Sequence, residues 1–386
     1  MDFILNEENE MIRQTAREFA EEKLAPGVAE RDEKMIYPGE FVRELAELGF
    51  FGIFMPEEYG GAEMDSISYC IAIEELSRVD ASVGVIISVT NSLAAYPIYV
   101  FGNEEQKQKF LVPLASGEKL GGFCLTEPGA GSDAGAQTTT AVLDGDHYVV
   151  NGAKHFVTSG KNGDIFIVTV VTDRSKGIKG TSCLIIEQGT PGMTVQPPEH
   201  KMGIRGSDTH AITFEDCRVP AANLLGKEGD GFKVAMSALD SGRMGIAAQA
   251  VGIAQGALDA ALKYVHERQQ FGKFLKDFQA IQFKLADMDT RIEASRLLLY
   301  RSAAIKDSGK RFSKEAAMAK VYCSETAMYV TNEAVQIHGG YGYTPEYPVE
   351  RMMRDAKITE IYEGTSEIQR IVIAATLLKE WAQAHS

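Results

Sequence analysis

Residues Ile361 to Arg370, IYEGTSEIQR, place a carboxylate, Glu363, in a glycine-containing turn at the mouth of a helix. Thr365 or Ser366 can cap that helix, and Ser366 with Gln369 fits a capping box. Ile368, Ile371, Val372, Ala375, Leu377 and Leu378 then recur at helical spacing and predict a buried face. A fixed carboxylate beside free backbone N–H groups can take a proton from carbon while those donors steady the developing negative charge. Two influences on Glu363 oppose each other. A helix N-terminus lowers a carboxylate's pKa, whereas an apolar pocket beside Tyr362 raises it. A second glycine turn, Gln336-Ile337-His338-Gly339-Gly340-Tyr341-Gly342-Tyr343, lies shortly upstream.

A glycine-rich tract, Phe123 to Gly135 (FCLTEPGAGSDAG), carries Gly129, Gly131 and Ala134 at the spacing of a degenerate dinucleotide fingerprint. That fingerprint needs a strand before it and a helix after it. Here Pro128 interrupts the approach and the β-branched run Thr138-Thr139-Thr140 follows, so context disfavours a Rossmann NAD site. The glycines with Ser132 can still bring backbone N–H groups close to a pyrophosphate; the bland alternative is a loop between strands. Phe156, within Lys154-His155-Phe156-Val157-Thr158-Ser159, reads by itself as a core aromatic. Arg268 reads as a solvated helix end and Arg243 as a charge at a helix start. A hydrolase would want a G-x-S-x-G elbow, which the chain lacks. The seven histidines show no HxxxH metal spacing.

Three textures must hold these residues. Residues 1–119 read as helical: Asn6 caps a first helix that ends before Pro26, and helical patterns cover Glu40–Leu48, Ser66–Ser77 and Glu104–Leu114. Residues 120–229 read as short strands, with Asn151-Gly152 as a hairpin signal, and predict a small antiparallel sheet or barrel. Residues 230–386 return to long helices: an Ala- and Gly-rich Met244–Gln269, then Asp277–Asp307, Ser313–His338 and the helix after Glu363. The expected fold class is α+β. A net charge of −15 disfavours nucleic acid and anionic membrane surfaces. No apolar run reads as long enough to span a bilayer, and the first residues have no export-signal layout. Five scattered cysteines argue against a disulfide framework and for a reducing setting, either a bacterial cytoplasm or a mitochondrial matrix after loss of a presequence.

Jointly, these tracts resemble the acyl-CoA dehydrogenases over nearly the whole chain. The resemblance implies an N-terminal α-helical domain (1–119), a middle antiparallel β domain (120–229) and a C-terminal four-helix-bundle domain (230–386). It implies FAD, with Leu125 and Thr126 along the isoalloxazine ring, and Gly131 and Ser132 approaching the diphosphate. Phe123, Val157, Thr158, Thr365 and Glu367 would belong to the same cofactor site. Phe156 would cover the ring where many members have Trp. Arg268, with Phe271 and Gln279, would reach across a subunit interface to the diphosphate, and Gln336, Gly339 and Gly340 would complete that site, in a homotetramer. Glu363 would be the base. Some family branches take the base from the residue before an Arg on another helix, which here is Gly242. Ser132, Asp240, Arg243, Tyr362 and Gly364 would contact the acyl-CoA. Thr90-Asn91-Ser92-Leu93 resembles the short-chain members, which implies oxidation of a short acyl-CoA to its trans-2-enoyl-CoA with electrons passed to electron-transferring flavoprotein. A branched or cyclic acyl group, an acyl-CoA oxidase using oxygen, and a flavin- or acyl-CoA-binding scaffold stay open.

Overall fold

A computed structural model describes residues 5–385. Its N-terminal third is helical: α1 (Glu7–Phe19), α2 (Val28–Lys34), α3 (Gly39–Glu47), α4 (Ser66–Ser77), α5 (Ala81–Val89), α6 (Tyr96–Phe101), α7 (Glu104–Gln106) and α8 (Val112–Ala115). Asn6 caps α1 in a reciprocal box with Asn9, the two side chains each accepting from the other's backbone N–H. A wide π-turn, Thr90–Ala95, joins α5 to α6.

Seven strands follow: β1 (Gly121–Cys124), β2 (Thr140–Asp144), β3 (His147–Thr158), β4 (Ile165–Val171), β5 (Thr181–Glu187), β6 (Met193–Pro198) and β7 (Thr209–Pro220). They form one sheet, but a mixed one: β1 runs parallel to β4, and β2 meets β4 in a single parallel pairing, while the other pairings are antiparallel. A purely antiparallel sheet was the expectation; the chain between β1 and β2 is spent on the glycine-rich loop, so β1 and β2 flank β4 without pairing each other. The hairpin signal was also misplaced. Asn151-Gly152 lies inside β3 at a register shift, where a Cβ on Gly152 would strike Thr139. The turn itself is Gly145-Asp146, with Gly145 at φ 65°. Every residue of β4 is buried because both faces are covered: Ile165 and Ile167 pack on the helical layer, while Phe166, Val168 and Val170 join Leu184, Ile186 and Ile212 on the other side.

The C-terminal helices are α9 (Gly231–Glu267), α10 (Gln279–Asp307), α11 (Ser313–His338), α12 (Val349–Ile358) and α13 (Ser366–Ala384), with a two-stranded hairpin, β8 (Gln269–Gln270) and β9 (Lys273–Phe274), between α9 and α10. Their core is continuous with that of α1, α4 and α5. Three expectations need correction. The helix thought to start at Met244 starts at Gly231, so Asp240 and Arg243 sit in mid-helix. Both Ala81–Phe101 and Gly231–Glu267 are long and apolar enough to cross a membrane, but 83% and 78% of their most apolar windows are buried inside the protein, as for core helices. The apolar face of α13 is not buried in the protomer: Ile371 is 62% exposed and Leu378 70%, and the buried residues of this helix are Ser366 and Gln369.

Candidate active site

The turn between α12 and α13 closes through two backbone bonds, Tyr362 N–H to Ile358 O (3.1 Å) and Ser366 N–H to Glu360 O (2.9 Å). Inside it, Glu363 and Gly364 both take positive φ (54° and 95°). Glycine does this freely, whereas a glutamate is strained there and needs support. The support is side-chain donors: Lys320 Nζ (2.7 Å) and Gln369 Nε2 (2.8 Å) to Gly364 O, and Gln369 Nε2 again to Glu363 O (3.3 Å). Thr365, not Ser366, is the cap of α13, accepting from Ile368 N–H, because Gln369 is occupied with the turn. The N–H of Glu363 has no backbone acceptor among the described residues.

The Glu363 carboxylate points into the space left by the missing side chain of Gly242, where a Cβ would collide with Oε2. Oε2 is buried and has no hydrogen-bond partner among the described residues. Burial pushes this carboxyl up to about 8, against the opposing pull of Lys320 and then Arg243. Desolvation therefore outweighs the two neighbouring cations. Beside it, the Tyr362 hydroxyl donates to Gln249. Arg243, itself buried, is held by Asp240 at 2.7 Å, and Asp240 in turn accepts from Ser313.

Glu363 lines a largely apolar cleft of about 690 Å³. Phe123, Leu125, Thr126, Gly131, Ser132, Phe156, Thr158, Arg243, Tyr362, Gly364 and Thr365, all selected from the sequence, line the same cleft. Val157 does not; its side chain faces the sheet core. Asp240 stands behind Arg243, and Glu367 is exposed on the first turn of α13. Arg268, Gly339 and Gly340 line a second, open cavity of about 520 Å³ with Tyr264, His338 and Tyr341, and it shares no residue with the first. Gln336 and Gln279 are exposed, and Phe271 is 92% exposed at the tip of the β8–β9 hairpin. The selected residues thus fall into two groups.

The glycine-rich loop is braced from behind. Glu127 accepts from Thr138 N–H (2.6 Å), Thr138 Oγ1 (2.7 Å), Thr139 N–H (3.0 Å) and Lys154 Nζ (2.9 Å). Cβ atoms on Gly129 or Gly131 would meet nothing within 4 Å, so the loop backbone faces open space. Sequence reasoning missed Lys320 and Gln249, gave Gln369 a capping role instead of its bracing one, and of the cleft floor named Leu93 but not Val89, Phe232 or Met236. A signal for part of that floor existed: Phe232, Met236, Leu239 and Arg243 fall on one face of a helix.

Family models for the acyl-CoA dehydrogenase N-terminal, middle and C-terminal domains match residues 6–118, 122–217 and 229–378. The chain belongs to the acyl-CoA dehydrogenase family. It is 53% identical over 379 residues to a short-chain specific acyl-CoA dehydrogenase of Clostridium acetobutylicum, covering 98% of this chain and 100% of the relative. The butyryl-CoA dehydrogenase of Megasphaera elsdenii superposes with a TM-score of 0.97 at 53% identity, covering 98% of this chain and all of that one. A chain from structural work on the electron transferring flavoprotein of Acidaminococcus fermentans and flavin-based electron bifurcation gives the same TM-score at 55% identity, over 98% of this chain and 100% of that one. The family assignment makes this an oxidoreductase and a flavoprotein, an acyl-CoA dehydrogenase built as helical, β and helical domains around a mixed sheet.

Proposed function

We propose that the protein oxidises a short-chain acyl-CoA, butyryl-CoA in the first instance, to the trans-2-enoyl-CoA, with FAD as cofactor and Glu363 as base. The observation that carries this reading is the buried, unpartnered Oε2 of Glu363 in an apolar cleft shared with the glycine-rich loop. The residues fit the cofactor: Phe123, Leu125, Thr126, Phe156 and Thr158 offer an apolar slot for a flat ring, and the loop at Gly131 and Ser132 is open enough for a diphosphate. Bound FAD supplies a hydride acceptor for the hydrogen leaving the β carbon.

Glu363 removes the α-proton. The α C–H pair becomes one electron pair of the new double bond, the proton goes to the carboxylate, and two electrons leave with the β-hydrogen. The unengaged N–H of Glu363 is placed to donate to the thioester oxygen, where enolate-like charge develops. The apolar walls exclude water and strengthen that bond. Tyr362, Gly364, Ser132 and Arg243 are the proposed contacts to the acyl-CoA, with Asp240 holding Arg243. Val89, Leu93 and Leu239 line the apolar floor, which supports a short acyl chain.

The open cavity at Arg268, the protruding Phe271 and the bare face of α13 support assembly with further copies, a homotetramer in which Arg268, Gln279, Gln336, Gly339 and Gly340 serve a neighbour's FAD. A holoenzyme that scatters light as a 42.1 kDa monomer would overturn this part. Electron-transferring flavoprotein is the proposed acceptor.

The decisive kinetics are kcat/KM for butyryl-, isobutyryl- and octanoyl-CoA, with electron-transferring flavoprotein or oxygen as acceptor. Butyryl-CoA is expected to exceed octanoyl-CoA by about tenfold or more, since a pocket discriminates by roughly 1–3 kcal/mol per methylene misfit. A preference for octanoyl- or isobutyryl-CoA would overturn the chain-length assignment, and equal rates with oxygen would make the enzyme an oxidase.

A further inference from the structure

Lys320 stands where α11 should carry a small apolar residue. Ala316, Ala319, Cys323 and Ala327 share its buried face. Its side chain is fully buried, and its only hydrogen bond among the described residues runs from Nζ to the carbonyl of Gly364. An ammonium carries three donors, and burying it against one neutral acceptor is costly unless charge compensates. The anions facing it are Glu363 first, then Glu360 and Glu367, while Arg243 on α9 opposes it. Around Glu363, α11 contributes Lys320, α9 contributes Arg243, α4 the Tyr69 hydroxyl and the turn itself the Tyr362 hydroxyl. Burial draws the Lys320 ammonium down to about 8, and Glu363 pulls it the other way.

Geometry gives Lys320 two effects on one turn. With Gln369 it pins the Gly364 carbonyl, and Gln369 also holds the carbonyl of Glu363, so two successive peptide planes are fixed. That leaves Glu363 in its strained conformation with its own N–H unengaged. We propose that Lys320 is a positioning residue for the dehydrogenation: it locks the turn that carries Glu363 and supplies the positive charge that favours the ionised carboxylate. The proposal rests on the reading of Glu363 as the base.

The test compares holoenzyme with Lys320→Met and Lys320→Arg by two readouts across pH: kcat/KM for butyryl-CoA, and deuterium incorporation at its α carbon in D2O, followed by mass spectrometry. With Lys320→Met the acid limb of both profiles is expected to move up by about one pH unit or more, the scale of a lost neighbouring charge, and exchange at neutral pH to fall about tenfold or more. Lys320→Arg keeps the charge and restores the limb. If the Met variant does not fold, Lys320→Gln, neutral but still able to donate to Gly364, is expected to show the same displaced limb. A neutral variant whose rate falls while its limb stays at the wild-type pH would overturn the proposal, since a merely structural role moves only the rate. Wild-type protein that reduces no flavin and exchanges no α-deuterium would instead refute the base assignment of Glu363.

Discussion

Glu363→Gln is expected to lower turnover of butyryl-CoA by about 10³–10⁴-fold, the upper range for losing a positioned general base, while the flavin stays bound. Glutamine fills the same space beside Gly242 and can keep the turn, but it cannot accept a proton. The pH dependence follows from the raised carboxyl, which is protonated below about 8 and ionised above it. Wild-type kcat/KM should therefore rise with pH through that region, and the residual rate of the variant should not. Stability moves the opposite way. A carboxyl titrating higher in the folded chain than in the unfolded one favours folding while protonated, and that contribution is lost as pH climbs from about 4.5 to about 8. Glutamine stays neutral, so thermal scans at pH 8 should find the variant at least as stable as wild type. A variant retaining a tenth of wild-type turnover would remove Glu363 from the mechanism.

Lys154→Met carries the largest expected loss of stability. Lys154 is 0% exposed, and its ammonium is shared among Leu125 O, Glu127, Gln137 and Thr169. Removing it leaves the Glu127 carboxylate buried without its cation, which costs about 3–5 kcal/mol for a broken internal pair. Burial alone would raise the Glu127 pKa, but Lys154 and the Thr138 bonds outweigh it and hold the carboxyl down to about 2. A depressed carboxyl stabilises the fold above its unfolded value, near 4.5, and that contribution fades as pH falls toward about 2. Wild type should accordingly lose stability over that interval. In the variant Glu127 is free to protonate, so its deficit should shrink on acidification. Because Glu127 braces the glycine-rich loop, weaker flavin retention should accompany the lower Tm. Melting curves and flavin release at pH 7 and pH 4 check both, and a variant with unchanged Tm would show the pair to be dispensable.

Features with local causes were legible in the sequence, and features set by distant partners were not. Asn6 and Ser313–His338 were legible because a cap and a glycine stop act within a few residues. The Glu363 turn was legible as chemistry for the same reason, since Glu, Gly and Thr occur together in sequence. What failed depended on distant partners. Asn151-Gly152 is a hairpin signal by composition, but pairing with β7 carries the strand straight through it. The start of α9 was set too late, although Phe232, Met236, Leu239 and Arg243 recur at helical spacing, because Gly231 and Gly242 weaken the helical pattern there. The apolar face of α13 was read correctly as apolar and wrongly as buried, because no described residue covers it. Lys320 escaped notice since nothing in an alanine-rich helix says that its lysine meets a carbonyl 44 residues away. Glu363 and Gly242 illustrate the same limit: the glycine is silent until the carboxylate is seen to occupy its space.

Loaded with FAD, this chain is proposed to use Glu363 to oxidise a short acyl-CoA. The most direct measurement is an anaerobic visible spectrum of the purified flavoprotein before and after butyryl-CoA. Bleaching of the oxidised flavin bands is expected in wild type and none in Glu363→Gln. Wild-type flavin that stays oxidised with butyryl-CoA, or a Gln variant that bleaches as fast, would contradict it.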